Sequence, residues 1–203
     1  MNPMDLQHAV THYRRLIKEI GWLEERMAWT VILPLSEGLS LQETATRLTG
    51  DGHPELSEFD PGLSDVVYFG QSGAAVMLFE ATGFSHVGDT QVLERLSENA
   101  RVWHVAWNIT GMRVLVHAAQ GKVLARIPEF DPDWLHGIDP DSLRKEAAIL
   151  RGIGRYRPPT RYQTKVMAMV EHRTGARLDK QWFDQPQPAV PLYRSPAEGI
   201  QPI

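Results

Sequence analysis

The sequence predicts an α+β fold, a mostly antiparallel sheet of about five or six strands covered by helices on one face, with a long N-terminal helix and a C-terminal helical segment. Three observations lead there. Residues 101–127 read as three short β-segments joined by tight turns, the pattern of an antiparallel meander. Helical periodicity with capping residues occupies the N-terminus, two short insertions and the last third of the chain. No strand–helix–strand unit repeats and no glycine-rich phosphate loop is present, which argues against a doubly wound nucleotide-binding sheet.

The elements follow in order. Leu6, Val10, Tyr13, Ile17 and Ile20 make one apolar stripe on a first helix, interrupted at Gly21. Met27–Leu35 is rich in β-formers and reads as a strand that Pro34 closes or places at an edge. Ser40-Leu-Gln-Glu43 is a capping box opening a short helix through Leu41, Ala45 and Leu48, with Gly50 behind it. Residues 51–64 read as a loop. Val66–Phe69 and Ala74–Glu80 read as a hairpin across residues 70–73. Asp89 caps a helix over Thr90–Glu98, and strands follow at Arg101–Ile109, Met112–Ala119 and Lys122–Ile127. Asp139 with Pro140 opens a helix through Leu143, Ala147 and Leu150. Thr160-Arg-Tyr-Gln163 is a second capping box, and Asp179 caps a turn carrying Trp182 and Phe183. The proline-rich remainder reads as a flexible or extended tail, so the expected organisation is one domain over 1–183 and a tail over 184–203.

Composition narrows the function classes. The 203 residues carry a formal net charge of −4, which argues against chain-wide attraction to nucleic acid or anionic membrane. There is no cysteine, so neither a disulfide framework nor a thiolate metal site is expected, and a reducing, cytoplasmic setting fits. No apolar run approaches the roughly 20 residues that span a bilayer. The N-terminal MNPMDLQHAVTHYRRL lacks the apolar core of a secretory signal.

Phe79-Glu-Ala-Thr-Gly-Phe-Ser-His-Val-Gly-Asp89 is the stretch on which an enzymatic reading turns. A nucleophile elbow places glycines two residues before and two after the serine. Gly83 satisfies the first position around Ser85, but Val87 stands at the second and Gly88 arrives one residue late. The sequence therefore favours a plain strand-to-helix loop, and it assigns no catalytic residue.

From about Trp29 to Leu178 the chain resembles a family of uncharacterised bacterial domains, domain of unknown function 6461, common in actinobacteria. The run FEATGFSHVGDTQVLERLSENARVWHVAWNITG carries the likeness, with the Gly121-Lys-Val strand and Phe130-Asp-Pro behind it. Glu80, Gly83, Phe84, Leu96, Ser97, Trp107 and Asn108 match the family's strand-end Glu, Gly-Phe turn, Leu-Ser helix end and Trp-Asn strand. The resemblance implies one continuous domain and no catalytic residues or cofactor.

The remaining chemistry-bearing residues divide into weak and stronger candidates. His8 and His12 have zincin spacing without its glutamate and point away from the apolar stripe, so a solvated helix face is expected. His104 and His117 come close to opposite each other if the meander turn centres on 109–112, but no acidic third ligand accompanies them; no metal or other cofactor is expected. Trp103 and Trp107 share a strand face, and with Asn108 they could form a stacking site for a small ligand or nucleotide; the plainer expectation is an aromatic core and a turn cap. Arg151, Arg155, Arg157 and Arg161 form a basic segment, but the overall acidity argues against nucleic acid.

Residues 129–141 have the most unusual composition, acidic and proline-broken with aromatics interleaved. Asp131, Asp133, Trp134, His136 and Asp139 are the candidate partner-binding residues. The reading that follows is a non-enzymatic protein-binding module, of immunity or adaptor type, gripping a basic protein. Small-ligand binding by Trp103, Trp107 and Asn108 is the alternative, ahead of a hydrolase or metal enzyme. The clean stripe of the first helix also leaves self-association open.

Overall fold

The computed structural model describes residues 3–192, apart from 37, 51, 53, 83 and 154–158. Helix α1 (Pro3–Glu19) carries the first stripe, with Val10, Tyr13, Leu16 and Ile17 all buried. Gly21–Glu24 makes a 3₁₀ turn and leads into β1 (Met27–Pro34). The capping serine works as the spacing predicts: Ser40 Oγ accepts the Glu43 N–H at 3.1 Å, and Gly50 closes α2 (Leu41–Thr49) in the left-handed conformation. Glu43 does not complete the box; its carboxylate takes Arg47 one turn on, at 2.8 Å.

Among the described residues the strands join one antiparallel sheet of eight, in the order β2 (Ser57–Phe59), β8 (Gln187–Pro191), β3 (Val66–Ser72), β4 (Ala75–Glu80), β1, β5 (Ala100–Trp107), β6 (Arg113–Ala119) and β7 (Lys122–Pro128). The fold class and the meander stand; the count of five or six is corrected by β2 and β8. β2 is three residues long inside a loop-like stretch, too short to show alternation. β8 lies inside the stretch read as tail and contains Pro188 and Pro191. It tolerates them because its pairing is staggered: β3 takes 189–191 and β2 takes 187–189. The β3–β4 turn is also tighter than expected, since Ser72 pairs directly with Ala75.

The sheet is covered on both faces, which corrects the one-face expectation. On one face Trp29, Val31, Phe79, Val105 and Trp107 pack with α1 and with α5 (Pro159–Thr174). On the other, Ile32, Leu78, Val102 and Val116 pack with α2 and with α3 (Thr90–Leu96). Burial on both sides explains why MAWTVILP and AVMLFE read as near-continuous apolar runs.

The C-terminal helices begin differently from their sequence signals. Asp139 occupies the cap position, but its side chain makes no capping bond, and the segment opens as a 3₁₀ turn (Pro140–Leu143) before α4 (Arg144–Arg151). Thr160 lies inside α5 and donates to Glu24 Oε1 at 2.9 Å, while Gln163 Nε2 donates to the Glu24 carbonyl at 3.0 Å. The supposed second capping box is thus a tie between α5 and the chain entering β1. Asp179 does cap α6 (Lys180–Phe183), accepting the Trp182 N–H at 3.0 Å. Among the described residues no helix is long and apolar enough to cross a membrane.

Candidate functional site

Two places gather chemistry. The first is the turn after β4. Alternation along β4 sends Glu80 to the α2/α3 face with Val76 and Leu78. Glu80 is 1% exposed, so its carboxylate must find partners inside the protein. The following turn supplies them: Ser85 Oγ–H donates to Oε2, the His86 N–H to Oε1 at 2.7 Å, and the Val87 N–H to Oε2 at 3.2 Å. Ser85 Oγ in turn accepts the Gly88 N–H at 2.9 Å. Burial outweighs these donors and pushes the Glu80 carboxyl up to about 7.

His104 of β5 meets the same turn from below. A Cβ on Gly88 would lie 2.9 Å from His104 Nε2 and 3.3 Å from Ser85 Oγ, so histidine and serine meet beside one glycine while the serine holds Glu80. His104 is fully buried, its Nδ1 lies 2.8 Å from Thr30 Oγ1, and burial lowers it to about 3, with Arg126 adding to the effect. It is therefore a neutral imidazole. Above the turn opens a cleft of about 830 Å³ whose lining includes Thr82, Phe84, Ser85, His86, Val92 and Leu192. Phe84 is 75% exposed.

The second place is residues 129–141. Glu129 and Phe130 take left-handed backbone and turn the chain sharply after β7. Phe130 is buried edge-on against Trp107. Asp131 then accepts the Asp133 N–H at 3.0 Å and caps the 3₁₀ turn Pro132–Trp134. The chain runs back along β7: the Arg126 N–H donates to the His136 carbonyl at 2.8 Å, His136 returns the bond at 3.1 Å, and the Asp139 N–H reaches the Leu124 carbonyl at 2.9 Å. The segment thus covers the outer edge of the sheet, a role that residue composition alone does not disclose. Trp134 and Ile138 remain outside, 58% and 69% exposed. Two acids there have cationic neighbours: Asp133 lies 3.7 Å from Arg151, and Asp141 pairs with Arg144.

The other sequence candidates separate. Register pairs His104 with Val116 and Trp103 with His117, so the two histidines lie on opposite faces of the sheet and cannot share a metal. His117 stacks on Trp103, with centroids 4.8 Å apart. Burial lowers it to about 4 against the opposing pull of Glu146. Glu146 is itself 1% exposed and ion-paired with Arg173 of α5. Trp107 is 1% exposed and donates Nε1–H to the Leu23 carbonyl at 2.9 Å. Asn108 Oδ1 accepts from Thr110 N, Thr110 Oγ1 and Met112 N, the work of a turn cap. The tryptophan strand is accordingly core, with no ring face presented to a ligand. His12 Nε2 lies 2.7 Å from the Leu178 carbonyl while His8 is exposed. Among the described residues no group of three or more His, Asp or Glu is placed to hold a metal. Arg155 and Arg157 lie outside the described residues.

Sequence reasoning missed Glu80 as a site residue. The available signal was an acid closing the apolar run Val76–Phe79, a place where a strand is normally still buried. No family model, no curated protein and no solved structure matches this chain.

Proposed function

We propose that the protein is a protein-binding module whose 129–141 segment engages a basic partner. One observation carries this reading: Trp134 and Ile138 stand exposed on a backbone pinned to the β7 edge, with carboxylates around them. A large aromatic side chain on a rigid frame loses little conformational entropy on binding and desolvates a large area, which is the physics of an interface hot spot. The carboxylates of Asp131, Asp133, Asp139 and Asp141 would steer a cationic partner and set orientation more than affinity. Internal pairing of Asp133 and Asp141 reduces that charge, so the aromatic anchor carries more of the expected affinity than the acids.

The test is capture of partners from lysate of the native organism by wild type, Trp134→Ala and Asp133→Lys, followed by affinity measurement with the purified partner. Trp134→Ala should weaken a specific partner by about 30-fold or more, the effect of a hot spot worth roughly 2 kcal/mol. Asp133→Lys should weaken it less and flatten its salt dependence. A partner bound equally by wild type and Trp134→Ala would overturn the assignment of this surface.

A further inference from the structure

The turn after β4 does more than close a loop. Its serine lines a cleft of about 830 Å³, and that serine's hydroxyl hydrogen is held by a carboxylate with almost no solvent contact. We propose that Ser85 is an acyl-accepting nucleophile and Glu80 its general base, acting on carboxylic esters whose acyl chain lies in the cleft. This site shares no residue with the 129–141 surface and does not rest on the protein-binding reading.

The geometry supplies each part. Ser85 Oγ is oriented from two sides, donating to Glu80 Oε2 and accepting from the Gly88 N–H. Glu80 needs no distant partner to reach the serine, which is why the failed glycine spacing of a nucleophile elbow does not decide the matter. Phe84, Val92 and Leu192 give the cleft an apolar side that suits an acyl chain, and the His86 ring stands exposed at its margin. The groups facing Glu80 from its own turn are Ser85 and His86; from β5, His104 approaches through Gly88 and stays uncharged. A base whose carboxyl titrates near 7 is matched to proton transfer at neutral pH.

The steps balance as in other acyl transfers. Oγ bonds to the acyl carbon as its proton passes to Glu80 Oε2. The Gly88 N–H, which donates to Oγ, holds that oxygen in place for the attack. The C–O bond to the alcohol breaks and the leaving oxygen takes the proton back from Glu80. Water then gives a proton to Glu80 and attacks the acyl-serine. The acid is released, and Oγ recovers the proton.

The test uses the full chain and an alkyl fluorophosphonate, whose phosphorus accepts Oγ as fluoride leaves. A single adduct on Ser85, located by peptide mass spectrometry, is expected. Its rate of formation should rise with pH through one ionisation near 7 and then level. Ser85→Ala should take no label, and Glu80→Gln should label at least about 100-fold more slowly, the usual weight of a general base. p-Nitrophenyl hexanoate should then be turned over by wild type and not by Ser85→Ala. Failure of natively folded wild type to label at Ser85 overturns the proposal, because a serine that merely ties the turn predicts that result. Should Glu80→Gln not fold, the wild-type pH profile decides the base: a rate that climbs without levelling between pH 6 and 10 excludes Glu80.

Discussion

Replacing Gly137 with alanine is the sharpest test of how the 129–141 segment is held. Gly137 has φ of +143°, a region that L side chains rarely adopt. A Cβ there would stand 2.2 Å from the Leu124 carbonyl oxygen and 2.8 Å from Ala125 Cα. Both are backbone atoms of β7, so no flexible side chain can yield. The segment must lift off the strand, which breaks the two bonds between Arg126 and His136 and the one from Asp139 to Leu124. Three hydrogen bonds at about 1 kcal/mol each, with backbone strain of about 1–3 kcal/mol, bound the local cost at about 4–6 kcal/mol. Peeling the segment away relieves the strain, so the net loss seen in chemical denaturation should be nearer 3 kcal/mol. Hydrogen exchange should speed at the Arg126, His136 and Asp139 amides while the β1–β4–β5 centre keeps its protection. Unchanged exchange at those three amides, with stability within about 0.5 kcal/mol of wild type, would refute the packing described for this edge.

Other predictions concern buried charge. His104 and His117 are lowered to about 3 and 4 from 6.5, so below pH 6.5 the unfolded chain holds two protons that the folded one refuses, and stability falls as pH falls, by about 1.4 kcal/mol per unit for each. Glu80 is raised from 4.5 to about 7, so between those values the folded chain holds a proton that the unfolded one does not, and stability falls as pH rises. From pH 4.5 to 6.5 the net is two protons minus one, about 1.4 kcal/mol gained per unit of rising pH. From these three groups stability should peak near pH 6.5 in denaturant titrations, and Glu80→Gln should double the acid slope and remove the decline from 6.5 to 7. A slope unchanged by Glu80→Gln would show that Glu80 does not hold a proton in this range. Arg173→Met leaves the Glu146 carboxylate buried without its cation and should cost about 3–5 kcal/mol. Adding Glu146→Gln should recover a large part of that loss; a purely additive double variant would contradict the pairing.

Much of the architecture was present in local patterns. The period-3.6 stripe of α1, the Ser40 cap, the Asp89 cap and the alternation of β5 through β7 each depend on neighbours within a few residues, and physical rules of that range read them directly. Asn108 as a turn cap and Trp107 as core are of the same kind, because a short-range amide bond and a large apolar surface leave few options. The apolar runs at β1 and β4 marked strands, but their burial on both faces, which makes the runs continuous, was not read from them.

Only the tertiary structure decided how the hairpin and the meander join through β1, where β2 and β8 add, and which side chains meet. β8 enters the sheet between β2 and β3 across more than a hundred residues of chain, and its prolines mask it from any local signal. His104 and His117 sit on opposite faces because register shifts of one residue reverse a side chain's direction, and register is a property of the paired strands together. Asp131–Asp139 reads as an acidic loop until its carbonyls and amides are seen closing the β7 edge. Glu80 shows the same division. The chain itself sets an acid at the end of an apolar strand, while folding alone brings Ser85 and the His86 and Val87 amides around it, because the desolvation of a carboxylate depends on everything that displaces its water.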